Sequence, residues 1–190
     1  LGDNLYHGND LTPQLIKANK NNNGATIFVY PVSDPQRYGV AEFNDNKRVI
    51  NLEEKPKKPL SRYAVTGIYF YDNRAVNKAK EIKPSTRGEL EITSLNNLYL
   101  KENNLFVEIM GRGMAWLDTG TFDSLHQAGS YIRLLERRQG LKVGCPEEVA
   151  WRNKWINNKD LIKLAENMIK SGYGQYLLDI QKDPFNKNLS

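Results

Sequence analysis

The sequence predicts an α/β protein in which helices cover a mixed sheet, with a helical annex at the C-terminal end. Strand-like and helix-like segments alternate as far as about Gly120, an order that favours a mixed sheet over a β sandwich. From Phe122 onward the pattern is helical to the end. Hydrophobic residues make up 39% and aromatic residues 10% of the 190 positions, enough to build a packed core and to exclude a disordered chain. The expected division is 1–120 for the sheet-bearing part and 121–190 for the annex.

Each element follows from local chemistry. Asp10-Leu11-Thr12-Pro13, followed by Leu15, Ile16 and Ala18, predicts a helix with proline in its first turn, ended by Asn21-Asn22-Asn23-Gly24. Ala25 to Val32 is a continuous apolar run suited to a buried strand, broken by Ser33-Asp34-Pro35. Val40–Phe43 and Val49–Glu53 flank Asn44-Asp45-Asn46-Lys47, a hairpin signal. Lys55 to Ser61, with Pro56 and Pro59, predicts an exposed loop. Ala64–Tyr71 predicts a strand, with a helix over about Asn73–Ile82 behind it. Thr86-Arg87-Gly88-Glu89 fits a capping box opening a helix whose apolar side includes Leu90, Leu95, Leu98 and Tyr99. Leu105–Met110 predicts a strand before the turn Gly111-Arg112-Gly113, and helices follow over Phe122–Arg138 and Lys159–Lys170.

A net charge of +5 and a pI near 9.2 raise the question of nucleic acid, yet the basic residues are scattered and form no stripe. Nucleic-acid binding is therefore not expected. No apolar stretch reaches transmembrane length, so no membrane partner is expected either. The single cysteine, Cys145, allows no internal disulfide and fits a cytoplasmic location and a packing role. Leu1-Gly2-Asp3-Asn4 carries neither Met nor a signal pattern and reads as the middle of something longer.

Asp3 and Asp118 each stand near a glycine where a strand would end, the place where open α/β sheets bind ligands. Two such carboxylates could hold Mg2+ against phosphate oxygens; Asp118-Thr119-Gly120 also reads as a helix N-cap or turn. Glu53-Glu54-Lys55-Pro56 offers a carboxylate for sugar hydroxyls and a lysine for phosphate, or a solvated charge cluster. Arg37-Tyr38-Gly39-Val40 lets backbone approach a ligand, or makes a tight turn around a packed tyrosine. Arg87, just before a helix, is a candidate phosphate contact, although exposed arginines are common.

Taken in order, Leu1-Gly2-Asp3-Asn4, Arg37-Tyr38-Gly39-Val40, Leu52-Glu53-Glu54-Lys55-Pro56, Ala64 to Asp72, Arg87 to Thr93 and Ala115 to Thr121 resemble the glucose-1-phosphate thymidylyltransferases. Gln139-Gly140-Leu141-Lys142 and Tyr173-Gly174-Gln175-Tyr176 carry the resemblance almost to the end. It implies a Rossmann-like sheet of the nucleotidyltransferase (GT-A-like) type. It also implies that a first βα unit of about a hundred residues, bearing a glycine-rich loop, belongs before Leu1. Without that unit the chain is expected to be inactive by itself.

The implied reaction joins glucose 1-phosphate and dTTP to give dTDP-glucose and pyrophosphate, dependent on Mg2+, as the first step of dTDP-rhamnose-type sugar synthesis. Carried over by resemblance, Asp3 and Asp118 hold the metal, and Glu54 accepts hydrogen bonds from sugar hydroxyls. Gly39 and Val65 offer backbone contacts, Lys55 and Arg87 orient the phosphate, and Tyr38 and Tyr69 line the pocket. Arg112, Glu148 and Arg152 match a regulatory site for a dTDP-sugar. A homotetramer is implied for the intact protein. Uridylyl, adenylyl or cytidylyl transfer on the same scaffold, or a non-catalytic carbohydrate-binding or assembly module, are the alternative readings.

Overall fold

Strand β2 (Ala25–Pro31) organises the larger sheet, because its run of β-branched and aromatic residues is buried from Ala25 to Val29. In the computed structural model, which describes residues 2–20, 23–46 and 48–183, β2 pairs antiparallel with β5 (Tyr63–Tyr71) and parallel with β6 (Leu105–Ile109). Strand β3 (Gly39–Phe43) joins β5 on its other side and forms the expected hairpin with β4 (Val49–Glu54). The result is a five-stranded mixed sheet ordered β4-β3-β5-β2-β6. Leu1, the Asn21-Asn22 helix stop and the Lys47 turn position lie outside the described residues.

Both faces of this sheet are covered. Ile27 and Val29 of β2 cluster with Ala41, Val49 and Leu52, while Leu95 and Tyr99 of helix α3 (Ile92–Lys101) pack with Ala25. Phe28 packs instead with Met110, Met114 and Ala18 of helix α1 (Leu11–Lys20), the alternation expected of a strand. Helix α2 (Ala75–Glu81) follows β5. The β2–β5 register breaks once: between Ile27↔Tyr69 and Val29↔Val65, β2 places only Phe28 opposite Thr66, Gly67 and Ile68. Gly67 takes the left-handed φ of 86° that this bulge needs, and Thr66 Oγ1 donates to the Phe28 carbonyl at 3.2 Å.

A second, two-stranded sheet pairs β1 (Asn4–His7) with β7 (Ala115–Asp118), antiparallel, with Asn4 opposite Asp118 and Tyr6 opposite Trp116. The sequence reading placed a strand end at Asp118, as found, but also one at Asp3, which instead precedes the start of β1, and it did not foresee that the two strands would pair. The hydroxyl of Tyr6 donates to the Thr66 carbonyl and ties this ribbon to the β5 bulge.

The capping-box expectation at Thr86–Glu89 fails. Helix α3 starts later, with Glu91 at its N-cap and no side-chain cap. Ser85 to Glu89 closes a turn in which Gly88 N donates to the Ser85 carbonyl at 2.9 Å and Ser85 N to the Glu89 carbonyl at 2.8 Å. The left-handed φ of 77° at Gly88 is incompatible with a first helical turn, and Leu90 is consequently exposed.

The chain divides into two compact units, Leu1–Ser130 and Tyr131–Ser190, with helix α4 (Phe122–Gln139) running from one into the other. The second unit holds α5 (Pro146–Arg152), α6 (Asn158–Asn167) and α7 (Tyr173–Lys182). Leu161, Ala165, Leu177, Ile180 and Cys145 form its buried core, so Cys145 packs, and burial pushes its thiol pKa up. Asn157 and Asp160 cap α6 reciprocally. The sequence reading overlooked α5, although Pro146 in its first turn followed by Glu147 and Glu148 is a helix-start signal.

Candidate active site

Where the β1–β7 ribbon, the β5 bulge and the first turn of α3 meet, the first unit opens a cleft of about 540 Å3. Its lining includes Asp3, Asp118, Tyr38, Gly39, Glu54, Lys55, Val65 and Tyr69, residues scattered over most of that unit's length.

The two aspartates meet because the antiparallel ribbon puts the start of β1 beside the end of β7. Thr119 completes the junction, its backbone N and Oγ1 each donating to the Asp3 carbonyl at 2.8 Å. The side chains are oriented by different donors. Asn4 Nδ2 donates to Asp3 Oδ1 at 3.0 Å, while Asn4 Oδ1 accepts from the Trp116 indole N–H at 2.6 Å. An indole N–H only donates, so it dictates which way the Asn4 amide faces. Asp118 Oδ1 accepts from Gly120 N at 3.2 Å, and its Oδ2 faces Arg37 Nη2 at 3.5 Å. Both carboxylates are hard oxygen donors opening on one cleft, a set that suits Mg2+, which keeps several waters and needs only one or two protein carboxylates. No group of three or more His, Cys, Asp or Glu side chains placed to hold a metal occurs among the described residues.

Opposite this end stands Glu54, the last residue of β4 and the register partner of Gly39. Thr93 Oγ1, in the first turn of α3, donates to Glu54 Oε2 at 2.5 Å. A Cβ on Gly39 would lie 3.0 Å from that hydroxyl and 3.1 Å from that carboxylate oxygen, so any larger residue there would press on the contact. Lys55 turns the chain with a left-handed φ of 46°, its backbone N donating to the Tyr38 carbonyl at 3.0 Å. Its ammonium takes part in none of the ion pairs among the described residues, leaving a positive charge at the cleft for an anion. Burial, reinforced by the Glu54 charge, raises the Tyr69 pKa, so Tyr69 remains a neutral hydrogen-bond donor. The Tyr38 ring centroid lies 5.0 Å from that of Trp116, and burial pushes the Tyr38 pKa up as well.

Arg87 does not line this cleft. Its guanidinium pairs with Glu89 at 2.9 Å and with Glu91 at 3.5 Å, in the turn that precedes α3. Arg112 sits in the exposed turn of the first unit. Glu148 and Arg152 lie one helical turn apart on α5 of the second unit, paired at 2.7 Å, and the Tyr176 hydroxyl donates to Glu148. Sequence reasoning assigned no role to Asn4, Arg37, Thr93 or Trp116, all of which line the cleft. All four stood inside the motifs already noted; proximity to Asp3, to Tyr38, to the Arg87 segment and to Asp118 was the available signal.

The model of the family described as nucleotidyl transferase matches residues 1–133. Glucose-1-phosphate thymidylyltransferase of Neisseria meningitidis is 53% identical over 96% of this chain, and that of Mycobacterium tuberculosis is 52% identical over 95%. The chain spans only 63% and 62% of the lengths of these two relatives. A Bacillus anthracis crystal structure, provisionally assigned the same activity and solved in complex with sucrose, superposes with a TM-score of 0.62 at 44% identity. That match covers 70% of this chain and 52% of the other.

Proposed function

This chain belongs to the nucleotidyl transferase family, and from that premise we propose that it carries the sugar-phosphate and metal side of a glucose-1-phosphate thymidylyltransferase site. The supporting observation is the single cleft onto which Glu54, Lys55, Tyr69, Asp3 and Asp118 all open. In the reaction, an oxygen of the sugar's phosphate forms a bond to the α-phosphorus of dTTP. The bond to pyrophosphate breaks, and no covalent enzyme intermediate is required. Positioning and charge neutralisation then carry most of the catalysis.

Each residue has a distinct task. Glu54, held by Thr93, accepts hydrogen bonds from glucose hydroxyls, and Tyr69 supplies a neutral donor beside it. The Gly39 and Val65 backbones approach the ring, while Tyr38 walls the pocket. Lys55 meets the sugar's phosphate as a point charge. For Arg87 to join it, the guanidinium must leave Glu89 and Glu91. Asp3 and Asp118 would hold Mg2+, which when bound offsets the negative charge of the phosphates. Self-association is proposed as well: Phe122, 97% exposed at the start of α4, is apolar surface that a second copy would cover.

The test is calorimetric binding of glucose 1-phosphate to this chain, together with turnover, read as pyrophosphate release from a panel of nucleoside triphosphates, in a protein of the relatives' full length that carries these residues. Glu54→Ala should abolish discrimination against deoxy-sugar phosphates, since a site built to pair with a hydroxyl otherwise leaves a polar group unsatisfied. Asp118→Asn should lower turnover about a hundredfold or more while leaving the circular dichroism unchanged. Equal binding of glucose 1-phosphate and its deoxy analogues by the wild type would overturn the sugar-site reading. Preference for a triphosphate other than dTTP would move the assignment to a different nucleotidyl transfer.

A further inference from the structure

Arg37 has no task in the reaction as described, yet its guanidinium stands between two carboxylates at the mouth of the cleft. Nη1 lies 3.0 Å from Asp34 Oδ2, and Nη2 lies 3.5 Å from Asp118 Oδ2. The guanidinium carbon also sits 5.4 Å from the centroid of the Tyr38 ring. The two grips are unequal. The Asp34 contact is close to the length of a charge-assisted hydrogen bond, about 2.7–2.9 Å, whereas the Asp118 contact is well beyond it. Asp34 is three residues away, across a 3-10 turn (Pro35–Arg37), so that anchor is local and survives any movement at Asp118. Asp118 Oδ1 is already engaged by Gly120 N, which leaves Oδ2 as the oxygen that faces a cation.

We propose that Arg37 is a resident counter-ion of Asp118, occupying the carboxylate face that a divalent cation takes and yielding it when the cation binds. This rests on the reading that Asp118 holds a divalent metal. A monovalent guanidinium and a metal ion cannot both contact one oxygen from the same side, so the two compete. The competition has two consequences. Without metal, Asp118 keeps a counter-charge and does not stand in the cleft as an unneutralised carboxylate. With metal, the guanidinium stays attached to Asp34 and turns its freed N–H groups to the cleft, where phosphate oxygens would lie. Arg37 is thus a positioning residue that couples metal arrival to the exposure of a second cationic group.

The test is Mn2+ binding measured from the free-ion electron paramagnetic resonance signal, without nucleotide or sugar, on the whole chain and four variants. Asp118→Asn should lose most Mn2+ binding. Arg37→Gln, and Arg37→Met as a second variant should the first fold poorly, should bind Mn2+ about threefold more tightly, the scale of a half-exposed ion pair. Lys55→Gln also removes one positive charge from the cleft but breaks no contact with Asp118, and its gain should be clearly smaller. Mn2+ affinity in the folded Arg37 variants that is unchanged, weaker, or raised no more than in Lys55→Gln would overturn the proposal while leaving the metal site standing. Unaltered binding in Asp118→Asn would instead overturn the metal reading itself, and the inference with it.

Discussion

Thr93 holds the carboxylate of Glu54: its hydroxyl donates to Oε2 at 2.5 Å from a side chain that is 94% buried, so the first turn of α3 fixes the last residue of β4. One carboxylate oxygen is thereby engaged before any ligand arrives, which leaves the other without that bond. Removing the hydroxyl while keeping the shape, as in Thr93→Val, should weaken glucose 1-phosphate binding by about tenfold, the scale of one hydrogen bond to a charged group. Thr93→Ser should restore it. Titration calorimetry on the three proteins decides the matter, and equal affinity in Thr93→Val would mean that Glu54 needs no such fixing.

Gly39→Ala tests the same geometry from the other side. Its added Cβ would stand 3.0 Å from Thr93 Oγ1 and 3.1 Å from Glu54 Oε2, so both groups must give way by a few tenths of an ångström. The expected result is a loss of glucose 1-phosphate affinity of about tenfold, with a melting temperature within about 4 °C of wild type, the shift of a ~1 kcal/mol change. A large fall in melting temperature with intact affinity would show Gly39 to be structural only.

In the second unit, Gly174 permits the closest backbone approach. A Cβ there would meet the Ala165 carbonyl oxygen at 2.1 Å and Ile169 N at 2.7 Å, atoms of α6 and of the turn after it that cannot rotate aside. Gly174→Ala should destabilise this unit by about 2–3 kcal/mol, the cost of forcing extra volume into packed structure. Urea unfolding followed by tryptophan fluorescence measures it, and a change under ~0.5 kcal/mol would contradict the packing described.

Asp72 sets an acid limit on stability. Hydrogen bonding from Arg74, aided by the Tyr99 hydroxyl, holds its carboxyl at about 2, below its usual value. Because the folded value is the lower one, the stabilisation is complete above the unfolded carboxylate range near ~4 and is lost as pH falls towards 2. Burial pushes the Tyr99 hydroxyl up to about 12, so it still donates throughout that window. Asp72→Asn should therefore flatten the stability profile between pH 4 and pH 2 in acid denaturation. An unchanged slope would remove Asp72 from the titrating groups that matter.

Much of this protein could be read directly from its residues. The apolar run at Ala25–Val29, the hairpin around Asn44–Asn46, the strand ending at Tyr71 and the helices beginning at Leu11 and Phe122 are local features. Periodicity and turn chemistry act within a few residues, so sequence alone determines them. The glycine at position 39 and the Glu54-Lys55 pair could likewise be named as binding candidates from their motifs. What sequence could not decide was contact between distant segments. The capping-box pattern at Thr86 lost to the left-handed turn at Gly88, and β1 found its partner in β7, separated from it by most of the first unit. Thr93 reaches Glu54, and Arg37 reaches Asp118, because strand register and helix packing carry those side chains across the cleft. Such pairings depend on long-range burial and ladder hydrogen bonds, which leave no periodic mark on the chain, so tertiary structure alone decided which of the scattered charged residues share one site.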